Sequence, residues 1–298
     1  MTRLIKVYCL LLFCPLIVCG ESIRIATYNL KNYLSTDRLV EGIWRQDYPK
    51  PERAKNAVRA IIAQAQPHIL LLQEIGSKHH LQELQRDLRA EGLDYPYCYH
   101  LLAVDQKRQI AALSQIEAQE VIEHTDLWFV YQGERRTLLR GMLELVFELG
   151  HGGELSVFNL HLKSRWTENT SDPEASKFRA AEAQAARNRI LARTAERGQA
   201  AYVVGADFND HPGSASFRRF LQKGSRRIGE LITALDGRRE RWTYFYGKQV
   251  TYQMVDGLIV APCLLDQVAG GVGRIVDHPQ ALEASDHRMV FADFLFER

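Results

Sequence analysis

The apolar residues of the N-terminal half follow first a period of two and then the period of an α-helix. Alternation over residues 23–30 predicts a β-strand, one face of which carries Ile23, Ile25, Thr27 and Asn29. Between Pro51 and Pro67, apolar residues recur at steps of three and four, which predicts a helix bounded by the two prolines. Residues 69–75 are apolar as far as Gln73, as is typical of a strand buried on both faces.

The remaining pattern predicts two more helices and several strands. The helices are expected over residues 81–93 and, in an alanine-rich segment, over 174–197. Short strands are expected near residues 97, 110–113 and 127–131. Longer strands are expected over 201–209, 253–260 and 288–296, and over 138–149 and 154–164, which a glycine-rich turn joins as a β-hairpin.

The balance of these elements predicts the fold class. Strands mixed with only three clear helices indicate a layered α/β (α+β) fold with antiparallel pairing, not a doubly wound sheet of βαβ units. No repeat, low-complexity tract or interdomain linker interrupts the sequence after residue 20. We therefore expect residues 21–298 to form a single domain.

Residues 1–20 have the features of a secretory signal peptide. Arg3 and Lys6 make a basic start, and residues 7–18 are an apolar run that is too short to span a bilayer comfortably. Cleavage near Gly20 would release a secreted or periplasmic protein.

A lipid anchor at Cys19 is the less favoured alternative for this leader. Val18 is bulkier than the small residue that lipoprotein signals usually carry at that position. No later segment is long and apolar enough to be a membrane helix, so we expect no stable insertion in a membrane.

Composition and charge narrow the function classes. The chain has 298 residues, of which 46% are hydrophobic and 25% charged, and these values exclude disordered and collagen-like proteins. Without the leader, 36 basic residues balance 36 acidic ones, which argues against a protein that coats nucleic acid by bulk charge. A local basic groove stays open. Cys98 and Cys263 are the cysteines left after the leader, and whether they form a disulfide is also open.

Polar residues occur where apolar strands end, and this is the most informative feature of the sequence. Burying such groups is costly unless they are paired or bind an ion. Alternation over residues 155–163 puts three of them, Asn159, His161 and Lys163, on the face opposite the apolar side chains. The full set is Asn29, Glu74, Asn159, His161, Asp207, Asn209, Asp256 and the triplet Ser285-Asp286-His287.

Six motifs in a fixed order carry these residues: Thr27-Tyr28-Asn29, Gln73-Glu74, Asn159-Leu160-His161, Asp207-Phe208-Asn209, Val255-Asp256 and Ser285-Asp286-His287. In this respect the sequence resembles the endonuclease/exonuclease/phosphatase superfamily of metal-dependent phosphoesterases, over residues 23–298. That superfamily includes pancreatic deoxyribonuclease, abasic-site endonucleases and bacterial sphingomyelinases. Each motif alone is weak, but all six in order are a strong signal. The resemblance implies a four-layer α-β-β-α sandwich of two packed mixed β-sheets, with helices on the outer faces and the site at one end of the sheets.

The resemblance also implies a metal site. Glu74 would be the first ligand, with Asn29 and Asp286 beside it, and oxygen ligands of this kind suit Mg²⁺, with Mn²⁺ as an alternative. Lys31 stands where some relatives carry a second acidic residue, so one metal ion is expected instead of two.

The resemblance assigns catalytic roles to the other motif residues. His287, oriented by Asp256, would be the base or would stabilise the phosphate, and Asp207 would align or deprotonate the attacking water. Asn209 would hold a phosphate oxygen. His161, steadied by Asn159, would donate to a phosphate oxygen or to the leaving group. Which histidine is the acid and which the base stays open.

The expected activity is divalent-metal-dependent hydrolysis of phosphodiesters by a monomer, with nucleic acid as the leading substrate. The alternatives are a phosphatase or phosphodiesterase for phospholipids, sugar phosphates or other small esters and, more remotely, an inactive binding module on the same scaffold. Lys163, Arg165 and Trp166 begin a polar loop that either grips substrate or is simply solvated. No P-loop, zinc-protease or nucleophile-elbow motif is found in the sequence.

Overall fold

The structure is a computed structural model that describes residues 21–150, 153–198 and 200–296. The predicted signal peptide lies outside the described residues, as does part of the turn predicted between the strands at 149 and 154. Both therefore stay predictions from the sequence.

The described residues contain 21 strands and five α-helices. The first eleven strands are β1 Glu21–Tyr33, β2 Thr36–Val40, β3 Ile43–Tyr48, β4 Ile69–Ile75, β5 Tyr97–Leu101, β6 Gln109–Ser114, β7 Glu120–His124, β8 Trp128–Tyr131, β9 Glu134–Thr137, β10 Met142–Leu149 and β11 Gly153–His161. The others are β12 Tyr202–Asp207, β13 Gln222–Lys223, β14 Arg226–Arg227, β15 Glu230–Leu231, β16 Ala234–Leu235, β17 Tyr244–Tyr246, β18 Thr251–Gln253, β19 Asp256–Val260, β20 Gly273–Ile275 and β21 Val290–Phe296.

The helices are α1 Glu52–Ala65, α2 Lys78–Ala90, α3 Ser176–Glu196, α4 Ala215–Leu221 and α5 Ala281–Ala284. The prolines that bound the predicted first helix behave as expected, since α1 begins directly after Pro51 and ends before Pro67. Within the described part of the chain, none of the helices has the length and apolar character needed to cross a membrane.

Thirteen of the described strands form two mixed sheets. The first sheet has the order β16-β20-β21-β1-β4-β6-β5, and the second has the order β15-β19-β12-β11-β10-β7. Strands β1 and β4 are parallel, as are β11 and β12, whereas β21 runs antiparallel to β1 and β19 antiparallel to β12. Four small hairpins (β2–β3, β8–β9, β13–β14 and β17–β18) lie outside these sheets.

The sheets pack face to face with helices on both outer sides. Between the sheets lies a core of aliphatic and aromatic side chains, among them Ile25, Leu71, Leu145, Val157, Val203 and Leu258. Helices α1 and α2 cover the outer face of the first sheet, and α3 and α4 cover that of the second. The predicted four-layer α-β-β-α sandwich is therefore confirmed.

Strand direction explains why distant polar residues meet. Asn29 and Glu74 lie near the carboxyl ends of the parallel pair β1 and β4, and Asp207 ends β12. The antiparallel neighbours begin at that same edge, so Asp256 at the start of β19 pairs in register with Asp207. All of these polar groups are thus brought to one edge of the two sheets.

A buried amide ties the two sheets together just below this edge. Asn159 Nδ2 on β11 donates to the carbonyl oxygens of Leu72 (3.0 Å) and Ala111 (2.8 Å) in the first sheet. Its Oδ1 accepts from Gln73 Nε2 at 2.7 Å. Next to Asn159, a Cβ on Gly205 would lie 2.5 Å from a methyl group of Leu71, so only glycine lets the sheets approach this closely.

The structure differs from the sequence-based elements at several boundaries. The strand expected over residues 253–260 is two strands, β18 and β19, because the segment leaves a small hairpin before it joins the second sheet. Strand β10 begins at Met142 and not at 138, because Gly141 adopts a left-handed conformation (φ 64°). The sequence pattern missed both strands of the β2–β3 hairpin, whose residues are mostly exposed and have no buried face.

We expect Asn159→Ala to lower the free energy of unfolding by about 2–4 kcal/mol, because two buried carbonyl groups and the Gln73 amide lose their hydrogen-bond partner. Urea unfolding followed by circular dichroism measures this loss. The matched control is Gln184→Ala on the exposed side of α3, where a change within about 0.5 kcal/mol is expected. Equal losses in the two variants would contradict a cross-sheet role for Asn159.

Candidate active site

The Asp207 carboxylate is the centre of the site. Its Oδ2 lies 2.9 Å from Asn29 Nδ2 and 3.3 Å from Asn209 Nδ2, and its Oδ1 accepts the Asn209 backbone N–H at 2.8 Å. The imidazole Nε2 atoms of His161 and His287 lie 3.4 Å and 3.9 Å from the same Oδ2. Donors from both sheets therefore converge on one buried carboxylate.

Burial raises the pKa of Asp207 to about 6. The positive charge of His287 opposes this rise, the negative charge of Asp256 adds to it, and the hydrogen bonds from Asn29 and Asn209 lower the pKa again. At neutral pH the group is a carboxylate with much higher proton affinity than an exposed aspartate. Such a group can orient a water molecule and accept its proton.

His287 is paired with Asp256. Its Nδ1 lies 3.0 Å and 2.9 Å from the two carboxylate oxygens of Asp256. Burial alone would lower the pKa of His287, but the charges of Asp256 and Asp207 and the hydrogen bond outweigh it and raise the pKa to about 10. His287 is thus an imidazolium, whose Nε2–H is turned toward Asp207. The structure gives it the partner that the family resemblance implied.

A serine links His287 to the end of β1. Ser285 Oγ donates to the carbonyl oxygen of Asn29 at 2.8 Å and accepts the His287 backbone N–H at 3.0 Å. Asn29 is therefore held by its main chain and, through its amide, by Asp207.

His161, unlike His287, is a neutral imidazole. It is buried, and burial, followed by the charges of Arg140, His287 and Arg108, holds its pKa well below 6.5. Its Nδ1 is buried, and no group among the described residues bonds to it. A neutral imidazole with Nε2 facing the site can donate one hydrogen bond to a bound anion.

Two roles expected from the family resemblance need correction. Asn159 does not steady His161, because its amide is fully used in bonds to the first sheet. The side-chain amide of Asn209 donates to the Leu162 carbonyl oxygen (2.9 Å) and to Asp207, so it positions the carboxylate and has no N–H left for a phosphate oxygen.

Glu74 is turned out of its strand by a bulge. It adopts a left-handed conformation (φ 57°), and the pairing of β4 with β6 shifts register between Gln73 and Ile75. Its Oε2 accepts the Asn32 backbone N–H at 2.9 Å and lies 3.9 Å from Arg108 Nε. Gln73 bonds to Thr27 and Asn159 at the sheet interface, whereas the Glu74 side chain bonds to the turn that follows Asn29.

The turn at Lys31 and Asn32, which binds the Glu74 carboxylate, has a strained backbone. Lys31 and Asn32 both have positive φ, at 45° and 55°. The buried Lys50 ammonium donates to the carbonyl oxygens of Leu30 (3.0 Å) and Lys31 (3.2 Å), and burial lowers the pKa of Lys50 to about 7. Lys50 thus fixes the turn that presents the Asn32 N–H to Glu74.

The donor set fits a hard divalent cation. Glu74 has a partly exposed carboxylate, and Asn29 Oδ1 has a lone pair besides the one that accepts the Lys31 N–H at 2.9 Å. Asp207, Asp256 and His287 form a second group, whose ligand atoms lie within 4.8 Å of one another. The predicted ligand Asp286 faces the Lys31 ammonium at 3.5 Å.

The three residues of the predicted substrate loop have two different roles. Lys163 Nζ donates to the carbonyl oxygens of Ser164 (3.1 Å) and Trp166, so it organises the loop. Arg165 Nε donates to the Asn209 carbonyl oxygen at 3.3 Å, and Trp166 is 72% exposed. Arg165 and Trp166 border a cavity of about 410 Å³.

The β17–β18 hairpin supplies site residues that the sequence pattern missed. The Tyr244 ring lies 4.7 Å from the His287 ring, and burial, with the charges of Asp286 and Asp207, raises the pKa of Tyr244 to about 12. Tyr244 and Tyr246 both line the cavity beside Arg165 and Trp166. The aromatic-rich run Trp242-Thr243-Tyr244-Phe245-Tyr246 is the signal that could have found them.

Comparison with known proteins agrees with this fold. The sequence model described as the endonuclease/exonuclease/phosphatase family matches residues 26–287. The chain belongs to this family, whose members are metal-dependent phosphoric ester hydrolases. No curated protein sequence matches the chain significantly.

Solved structures with the same fold include an endonuclease/exonuclease/phosphatase from Bacteroides vulgatus, with a TM-score of 0.64, 17% identity, and coverage of 93% of this chain and all of that one. The human Nocturnin catalytic domain with bound sulfate has a TM-score of 0.59 and 15% identity, covering 92% and 94%. A mutant of beta toxin from Staphylococcus aureus with bound magnesium ions has a TM-score of 0.63 and 13% identity, covering 91% and 99%.

We expect His287 to be doubly protonated in the metal-free protein from pH 7 to pH 9, since its pKa is raised to about 10. Long-range ¹H–¹⁵N spectra in EDTA measure the protonation of both ring nitrogens. In Asp256→Asn, where burial acts without its main counter-charge, the pKa falls and the ring is neutral at pH 8. A neutral ring in the unsubstituted protein at pH 7.5 would contradict the ion pair.

The His287–Asp256 pair also makes the stability of the folded protein depend on pH. The folded protein retains this proton above pH ~6.5, where an unfolded histidine loses it. Its contribution to stability is therefore complete below that pH and is lost as pH rises toward about 10.

Proposed function

We propose that the protein is a Mg²⁺-dependent phosphodiesterase whose substrate is nucleic acid. The observation that carries the proposal is one buried carboxylate, Asp207, whose Oδ2 lies 3.4 Å from His161 Nε2 and 3.9 Å from His287 Nε2. Hydrolysis of a phosphodiester needs three functions: a group that positions water, a cation for the phosphoryl oxygens and a hydrogen-bond donor for the leaving oxygen. Asp207, His287 and His161 can supply them in that order.

The residues divide the reaction as follows. Asp207 aligns the attacking water and takes its proton, and a P–O bond forms on one side of phosphorus as the other breaks. The His287 imidazolium donates to a non-bridging oxygen, where negative charge develops. The neutral His161, whose Nε2 lies 3.4 Å from the same Asp207 oxygen, donates a hydrogen bond to the leaving oxygen, which departs as an alcohol after taking the proton that Asp207 removed from the water.

Glu74 and Asn29 would hold the divalent cation, with the Lys50-bound turn keeping Glu74 in place. When bound, Mg²⁺ supplies neutralisation of charge on the phosphoryl and leaving oxygens. A single metal ion is proposed, because the Lys31 ammonium lies beside Asp286, where a second ion would otherwise find a carboxylate.

A nucleic-acid substrate is supported by two arginines at the site. Arg108 Nε lies 3.9 Å from the Glu74 carboxylate, and Arg165 lines the cavity beside the site. Contacts of this kind hold phosphates on both sides of the scissile bond.

A phospholipid substrate is the second candidate, and a different observation favours it. The tip of the β2–β3 hairpin exposes Leu39, Ile43 and Trp44, with 59%, 59% and 73% of their surface accessible. Exposed aromatic and aliphatic residues at a hairpin tip suit a lipid surface.

Nicking of supercoiled plasmid tests the leading proposal. We expect Mg²⁺-dependent nicking that EDTA abolishes and that Glu74→Gln lowers at least about 100-fold, because the metal loses its charged ligand. The matched control is Glu123→Gln on β7, which is exposed and far along the chain from the site motifs.

Thermal melting of both variants shows whether they are folded. Near-normal nicking by Glu74→Gln would contradict the assigned metal ligand. Absence of nicking together with metal-dependent hydrolysis of phospholipid vesicles would replace the nuclease proposal by the second candidate.

We also propose that the protein is exported and that its leader is cleaved near Gly20. The basic start and the apolar run of residues 7–18 support this. Expression of the full chain and N-terminal sequencing of the extracytoplasmic protein should give Glu21 as the first residue. Recovery of intact chain only from the cytoplasm would contradict export.

A further inference from the structure

The cavity of about 410 Å³ continues the active site on one side. It shares Asn209 and Tyr244 with the surroundings of His287 and lies between the loop after β11 and the β17–β18 hairpin. Its size is within the range of small-molecule sites in proteins. A group attached to the scissile phosphate would therefore find an adjoining space of nucleotide size.

Aromatic rings supply much of the cavity wall. Tyr244 and Tyr246 lie one above the other, with ring centres 6.4 Å apart and planes inclined by 27°. Trp166 contributes a third ring from the opposite loop, and its indole is largely exposed to solvent. Flat aromatic surfaces of this kind stack on other flat rings.

The cavity also has an unsatisfied polar wall. Gln253 Oε1 is buried and, among the residues that the structure describes, has no hydrogen-bond donor. Its Nε2 makes only a long bond of 3.4 Å to Thr251 Oγ1. A buried acceptor without a donor costs free energy, and a ligand N–H placed in the cavity would remove that cost.

We propose that this cavity is a nucleobase subsite that takes an unpaired base with an exocyclic amino group. The rings would stack on the base, and Gln253 Oε1 would accept the amino N–H. The inference rests on the proposed phosphodiesterase function.

The shape of the site then determines the form of the nucleic acid. A base inside a duplex cannot enter a concave cavity without leaving the stack and its partner, which costs a few kcal/mol. Single strands and frayed ends avoid that cost. The substrate class is therefore single-stranded nucleic acid, with adenine, cytosine or guanine preferred to thymine beside the scissile bond.

Cleavage of labelled oligonucleotides tests the proposal. A 12-nucleotide adenine-rich strand should give a kcat/KM at least 10-fold above that of the same strand in a duplex. Trp166→Ala should lower the single-strand value about 10-fold through KM, and Gln253→Leu should abolish the preference for adenine over thymine strands. The control is Trp44→Ala, whose indole is equally exposed (73%) but lies on the β2–β3 hairpin.

A binding experiment separates this proposal from the proposed function. Glu74→Gln protein in EDTA is titrated with a three-nucleotide adenine strand, and the quenching of tryptophan fluorescence is recorded. Quenching that Trp166→Ala removes and Trp44→Ala retains supports the subsite even if no cleavage occurs. Absence of quenching, or quenching by phosphocholine instead, overturns it.

Hydrolysis of bis(p-nitrophenyl) phosphate reports on the phosphodiesterase chemistry itself. Metal-dependent hydrolysis without any single-strand preference would leave the proposed function standing and overturn the subsite.

Discussion

The structure of the site depends on the burial of one carboxylate. Asp207 is almost inaccessible, and a buried charge must be compensated by hydrogen bonds or opposite charge. Its donors come from β1, β11 and the segments that flank β12 and β21, so both sheets must be correctly packed before the carboxylate is satisfied. The arrangement that makes Asp207 basic is the same arrangement that brings His161 and His287 to it.

The closeness of the two sheets is set by small and polar groups. Gly205 lets β12 approach Leu71. Asn159 donates to carbonyl groups of the opposite sheet the hydrogen bonds that water would otherwise supply. Above this layer the chain leaves regular geometry: Glu74 and Asn209 both have positive φ. Such conformations persist only where neighbours over-determine them, and Lys50 does so for the segment that binds Glu74.

Much of this organisation follows from the sequence, because apolar periodicity locates β1, β4, β12 and the three long helices. Polar residues at the ends of those strands must meet once the strands are parallel neighbours. The pattern could not show what Asn159 contacts, since its partners in the first sheet are 48 to 87 residues away. It also could not show the pairing of Lys31 with Asp286, which depends on a left-handed turn, or the exposed β2–β3 hairpin, which has no buried face.

Chemistry and recognition are joined in the β17–β18 hairpin. Its backbone is tied to the His287 segment by the bonds from Phe245 N to the Asp286 carbonyl and from Arg288 N to the Thr243 carbonyl. Thr243 Oγ1 in turn accepts the backbone N–H of Asp256, the partner of His287. The hairpin therefore cannot shift without disturbing the His287–Asp256 pair. A ligand that packs against Tyr244 would also exclude water from the imidazolium, and a lower local dielectric strengthens the attraction between that cation and a phosphate.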